Sequence, residues 1–409
     1  MAGFQVSRGN CPCLFKDPRE LAAGADGPRC TEDRCAPVEI WGAMPEPEQA
    51  APVLEAQPGA VELRISALRD MYDGDLGDQT VLAVAADIRP WLRVVRDVST
   101  PVHELTWHGP ESRADLLGVL ADARNSELRT SVLWIADDEF EHLLPQDVEG
   151  AKLGAISFFS TGFDVVALAR YLRIIRHTDY RAELGIEERL TSYLEHADSL
   201  LLTTPALGTT CTFRHQESEF WFSLHGPLRW GDQTVLPTGE MSTLADDAGG
   251  FDPSTRLALS GEVVLKGSPI IHRGDASVTR RDTAETYARL AGMEDVPVIA
   301  RISGGWIQEF AAPTRESRRM RDAFTALVEA EPRYRKVHEF GFGTHVGCSD
   351  RVRGNFHPNE RNPGIHLGLG LGHFTPFHID LALTEVKVLL ESPVAPPTPL
   401  YPSLGLAAA

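Results

Sequence analysis

Lysine is nearly absent from this chain: 5 of its 39 basic residues are lysine and the rest are arginine. That bias reads as codon usage in a GC-rich genome, and it leaves few amines for Schiff-base chemistry. Positive charge as a whole is short, with 39 Lys and Arg against 58 Asp and Glu and a formal net charge of −19. No basic stripe offsets this balance, which excludes a nucleic-acid binder and docking on an anionic membrane surface. No run of about 18 apolar residues exists to span a bilayer. The N-terminal MAGFQVSRGNCPC has no apolar h-region, so the cytoplasm is the expected compartment. No GxGxxG follows a strand-like run, and no GxSxG elbow occurs, so neither a dinucleotide site nor a serine hydrolase is supported. Cysteine is sparse beyond Cys11, Cys13, Cys30 and Cys35, with only Cys211 and Cys348 following. The CxC…CxxxxC spacing of the first four is not a standard zinc or iron–sulfur pattern, and free thiols in an appended arm are the simpler reading.

What is present is the composition of a globular protein, 43% apolar and 24% charged, long enough for two domains at 409 residues. Residues 1–57 read as an irregular N-terminal arm with a Pro-rich linker, MPEPEQAAP, at its end. From 58 to 200 apolar strand-like runs at 80–88, 102–107, 131–138 and 152–159 alternate with helical patterns at 111–125, 163–177 and 185–200. This alternation predicts an N-terminal α/β domain with a mostly parallel sheet. From 201 to 391 strands dominate, with one clear helix at 316–332 and a hairpin turn at Ser303-Gly304-Gly305, predicting a C-terminal β-rich α+β domain. Residues 392–409 form a Pro-rich tail, read as extended and lying on the surface.

Histidine is concentrated. His338, His345, His357, His366, His373 and His378 are six of the fourteen, all within 41 residues rich in glycine. The glycines suggest loops that present ligands. His378 and Asp380, two apart in PFHIDL, share one face if the segment is a strand. A His and a carboxylate converging that way can ligate a divalent cation, and the surrounding histidines favour this over a core His beside a surface Asp. Glu339 stands at a strand end before a glycine turn, and Glu240 in the turn-rich LPTGEM; alone, each reads as an ordinary paired or solvated acid.

LPTGEMSTL, HEFGFGTHVG, ERNPGIHLGLG and HIDL occur in this order, together with TPALGTTCTF and GEVVLKG. In that order they resemble the motifs of the dimetal leucyl aminopeptidases of the aminopeptidase T and aminopeptidase S type. The likeness covers roughly residues 200–390. It implies a metal-ligand set of Glu240, Glu339, His366, His378 and Asp380, with Glu339 shared between two metals. It also implies a homodimer and a short-peptide or small-molecule substrate. These donors suit Zn²⁺, Co²⁺ or Mn²⁺. The chain departs from the family in three places. His373 stands where the family has a tyrosine thought to steady the oxyanion, the segment between His366 and His378 is short, and His345 replaces an asparagine. His338 and His345 are possible additional site residues. The 2,5-dihydroxypyridine 5,6-dioxygenases share the fold, the HxD pair and the short segment, and hold one Fe(II). The expectation is therefore a metal-dependent amide or peptide hydrolase, with Glu240 moving the proton and His373 steadying the oxyanion. A mononuclear Fe(II) ring-cleaving dioxygenase and a non-catalytic scaffold remain as alternatives.

Overall fold

A computed structural model describes residues 58–406 apart from 217, 218, 220, 246–250, 276, 349, 350, 372, 373, 393 and 394, and adds the short strand Ser7–Arg8. The four N-terminal cysteines and His373 lie outside the described residues.

The first layer is a five-stranded sheet, parallel throughout, in the order Gln233–Val235, Ala151–Ser157, Thr130–Ala136, Gln79–Ala85, Val102–Trp107. Every residue of Thr130–Ala136 and Ala151–Ser157 is buried, which is why these strands read as continuous apolar runs rather than alternating ones. The helix Arg113–Asn125 makes a crossover and turns Leu116, Leu120 and Ala123 inward. The helix Val165–His177 buries Leu168, Tyr171, Leu172 and Ile175 on one side. The next helix, Tyr180–His196, begins five residues before the acid-rich turn that marks it in the sequence. Asp179 accepts a hydrogen bond from the Ala182 N–H at 2.9 Å and caps it there.

Two further sheets of seven strands each are antiparallel except at the Ser7–Arg8 edge. One runs Trp306–Ala311, Val298–Ser303, Ala258–Leu265, Thr209–Arg214, Ser199–Thr204, Lys387–Ser392, Ala395–Pro399. The other runs Ser7–Arg8, Trp221–Leu224, Glu240–Leu244, Val337–Gly343, Gly364–Leu369, Phe377–Leu383, Gly267–Arg273. Their apolar faces share one core that includes Phe213, Trp221, Phe340, Phe342, Leu367 and Leu381. The chain passes between the sheets at Lys266: Ala258–Leu265 belongs to one and Gly267–Arg273 to the other. The hairpin at Ser303-Gly304-Gly305 is present, with both glycines at positive φ and Ser303 paired to Trp306.

Two features differ from the sequence expectation. Gln233–Val235, from the β-rich half, crosses back to become the edge strand of the parallel sheet. The Pro-rich tail is packed rather than draped: Ala395–Pro399 pairs with Lys387–Ser392, and the helix Leu400–Leu404 buries Leu400, Tyr401 and Leu404 in the second core. Among the described residues no helix is long and apolar enough to cross a membrane.

Candidate metal centre

Neighbouring antiparallel strands of the second seven-stranded sheet carry the candidate ligands. Glu240 opens Glu240–Leu244, Glu339 lies in Val337–Gly343, His366 in Gly364–Leu369, and His378 with Asp380 in Phe377–Leu383. The period-two geometry of a strand puts Glu339, Gly341 and Gly343 on one face and alternates them with Phe340 and Phe342, which enter the core. Glycine therefore does something other than form loops here. Gly343 is opposite Glu240, Gly341 opposite His366, and Gly368 opposite both Glu339 and Asp380. Each large polar side chain lies over a bare backbone. A Cβ on Gly341 would meet His366 Nε2 at 2.1 Å, and one on Gly368 would meet Glu339 Cβ at 2.6 Å and His378 Cε1 at 2.8 Å.

The five expected residues meet, and three others join them. His272 lies in Gly267–Arg273, directly opposite His378, and the short 3₁₀ helix His357–Arg361 supplies Glu360 and Arg361. The eight form a closed ring in which acids alternate with bases. Glu240 pairs with the Arg361 guanidinium, which lies 2.8 Å from Glu360 Oε1. Glu360 Oε2 is 3.5 Å from His272 Nε2, which is 2.9 Å from Asp380 Oδ2. His378 Nε2 lies 3.1 Å from that same oxygen and 3.1 Å from Glu339 Oε2. His366 Nε2 closes the circuit, 3.4 Å from both Glu339 and Glu240. All eight are buried, none more than 9% exposed.

Four buried carboxylates against one permanent cation cannot stand uncompensated. Within the chain, protons on histidine balance them. Burial opposes a charge on His378, but Asp380 and Glu339 outweigh it and hold its pKa well above the ordinary value. His272 is likewise penalised by burial, yet the hydrogen bond to Asp380 and the neighbouring Glu360 carboxylate push it up to about 9. Burial would raise Glu339, but hydrogen bonds from His366 and His378 lower it to about 2. Asp380 is depressed well below its usual range, His378 and His272 overcoming the cost of burial.

A divalent cation fits this demand. His378 Nδ1 sits 2.6 Å from the Gly370 carbonyl, which can only accept, so Nδ1 carries the proton of the neutral ring. A cation can take the place of the proton on Nε2, which lies 3.1 Å from a carboxylate oxygen on either side. Asp380 Oδ1, Glu360 Oε2 and His366 Nδ1 are buried without a hydrogen bond. Among the described residues, three donor groups have their ligand atoms within 4.8 Å of one another: Glu240, Glu339 and His366; Glu339, His378 and Asp380; His272, Glu360 and Asp380. Nitrogen and carboxylate oxygen together suit borderline and hard metals.

The two additional histidines are elsewhere. His338 is on the opposite face from Glu339, its Nδ1 accepting from the Gly370 N–H at 3.1 Å. His345 faces helix Tyr180–His196, with Nε2 3.3 Å from Glu183 and 3.0 Å from Thr178 Oγ1. His272, Glu360 and Arg361 were not identified from the sequence. Glu360 and Arg361 stand inside ERNPGIH, and an adjacent acid-arginine pair beside the histidine cluster was the available signal. His272 had only its place at the end of the apolar run SPII to mark it. Cys348 is a buried free thiol whose pKa burial pushes up, which argues against a nucleophile.

No protein-family model and no curated protein matches the chain. Among solved structures it is similar to 2,5-dihydroxypyridine dioxygenase from Pseudomonas putida KT2440, at 16% identity and TM-score 0.42, over 76% of this chain and 88% of that one. It is also similar to wild-type AmpT from Thermus thermophilus, at 14% identity and TM-score 0.43, over 82% of this chain and 95% of that one. Likenesses this remote do not bear on activity, which has to be argued from the ring of side chains.

Proposed function

We propose that the protein is a metal-dependent hydrolase that cleaves an amide or peptide bond in a small or pathway-specific substrate. The observation that carries this reading is the buried Glu339–His378–Asp380 set, in which Nδ1 is anchored on the Gly370 carbonyl and Nε2 lies 3.1 Å from a carboxylate on either side. Glu240, Glu339, His366, His378 and Asp380 supply donors for one or two divalent cations, Zn²⁺, Co²⁺ or Mn²⁺ by their chemistry. A cation held there supplies Lewis acidity and lowers the pKa of a water to about 7. Arg361 and the Ser242 hydroxyl, 2.5 Å from Glu240 Oε1, hold Glu240 as an oriented carboxylate. Glu240 is then the group placed to take a proton from water and return it to the leaving amine. His373 is assigned to the developing oxyanion. A homodimer and a short-peptide substrate belong to the same reading.

The test is metal analysis of protein purified without chelator, followed by hydrolysis of peptide amides before and after chelation. Zn, Co or Mn in the protein and chelator-sensitive cleavage are expected. Protein free of metal, with function untouched in Glu339→Ala and His378→Ala, would leave only a scaffold. A second reading has its own support. His272 and His378 both approach Asp380 Oδ2, and two imidazoles with one carboxylate are the donors of non-haem Fe(II) oxygenases. One iron per chain, with O₂ uptake on a dihydroxylated ring, would replace the hydrolase by that oxygenase.

A further inference from the structure

We propose that His272, Glu360 and Asp380 form a divalent-cation site of their own, joined through Asp380 to the Glu339–His378–Asp380 set, and that the second metal of the centre sits there rather than at Glu240. This inference rests on taking the ring as a metal centre. It moves the second position away from the residues that the aminopeptidase likeness implies.

Three contrasts between the two ends of the ring carry it. The first is which carboxylate oxygens are unengaged. Glu240 has neither oxygen unengaged, since Oε1 accepts from Ser242 and Oε2 pairs with Arg361. Glu360 is tied back by one oxygen only: Oε1 lies 2.8 Å from both His357 Nε2 and Arg361 Nη1. Its Oε2 is buried, accepts no hydrogen bond and faces His272. The second contrast is support for the imidazole. A ligating histidine is normally oriented through its other ring nitrogen. His272 Nδ1 lies 2.5 Å from the buried Ser160 hydroxyl, and the ring stacks on Phe159 with centroids 5.2 Å apart. These contacts aim Nε2 at Asp380. His366 Nδ1 has no such partner. The third contrast is charge. The guanidinium is permanently charged and pairs directly with Glu240, whereas Asp380 keeps a buried oxygen, Oδ1, that accepts no hydrogen bond. One nitrogen and two carboxylate oxygens suit Zn²⁺, Mn²⁺ or Fe²⁺.

The full chain is loaded with Zn²⁺, dialysed, counted for metal by mass spectrometry and imaged by anomalous diffraction at the zinc edge. Two metals per chain are expected, with peaks on either side of Asp380. Glu360→Gln and His272→Ala are each expected to fall to about one, and Glu240→Gln to keep two while losing activity. The reverse pattern, with Glu240→Gln falling to one and Glu360→Gln keeping two, overturns the inference and leaves the hydrolase reading standing. So does a single wild-type peak with nothing at His272. Absence of any bound zinc overturns both together. Should Glu360→Gln not fold, the positions of the wild-type peaks decide the matter alone.

Discussion

Gly341 and Gly368 are the residues on which the ring geometry depends most directly, because His366, Glu339 and His378 occupy the volume a side chain would need. Alanine at either position must displace a ligand, since the obstructing atoms belong to the buried ring rather than to flexible surface chains. Gly341→Ala and Gly368→Ala are expected to remain folded, destabilised by about 1–3 kcal/mol as in other overpacked sites, and to lose metal affinity at least about tenfold. Isothermal titration with Zn²⁺ beside a denaturation curve checks both; wild-type affinity in either variant would mean that the donors are not where they are placed here. A second residue-scale prediction concerns Glu183, which lies behind the centre and accepts from the Thr238 hydroxyl at 2.6 Å. Burial pushes its pKa up to about 8 from 4.5, more than Thr238 pulls it down. Burial also pushes its neighbour His345 down to about 3, so the pair is neutral between those values. The folded state thus holds the Glu183 proton more tightly than the unfolded chain does. Its stabilising contribution is complete below about 4.5 and is lost as pH rises through about 8. Glu183→Gln is expected to remove this dependence, so that its Tm relative to wild type climbs between pH 5 and pH 8. A constant difference across that range would contradict the assignment.

At the scale of elements, the tail braces the sheet that carries the candidate ligands. The Tyr401 hydroxyl donates to the carbonyl of Gly364, the first residue of the strand that carries His366. Leu400 is fully buried beside it. Leu400→Ala is expected to cost about 2–5 kcal/mol of stability by urea denaturation. A loss below about 0.5 kcal/mol would place the tail on the surface after all. The elements of the first half were legible because parallel strands buried on both faces and amphipathic helices leave strong patterns. The crossing strand Gln233–Val235 was not legible. Three residues carry no period, and only its pairing with Leu153, Gly154 and Ala155 defines it.

For the molecule as a whole, the proposed centre would make cation binding and folding one equilibrium. The donors come from positions 240 to 380, on five strands and a 3₁₀ helix, so the unfolded chain holds no such site. Metal at a hundredfold excess over its Kd is expected to add about 2.7 kcal/mol of stability, seen as a rise in Tm that EDTA reverses. His378→Ala is expected to abolish that rise. An unchanged wild-type Tm with and without metal would count against the centre.

By itself the sequence determined the acidic, lysine-poor character of the chain, the alternation of strands and helices before residue 200 and the hairpin at Gly304-Gly305, and its motif order singled out Glu240, Glu339, His366, His378 and Asp380 as candidate donors. Period, turn chemistry and motif order are local properties, and local order is what a linear chain displays. Tertiary structure alone decided that His272, Glu360 and Arg361 complete the ring, that His338 and His345 face away, and that the glycines make room in strands rather than turns in loops. These follow from strand register. Moving a strand by one residue exchanges its faces, and only pairing across the sheet settles which side chain meets which.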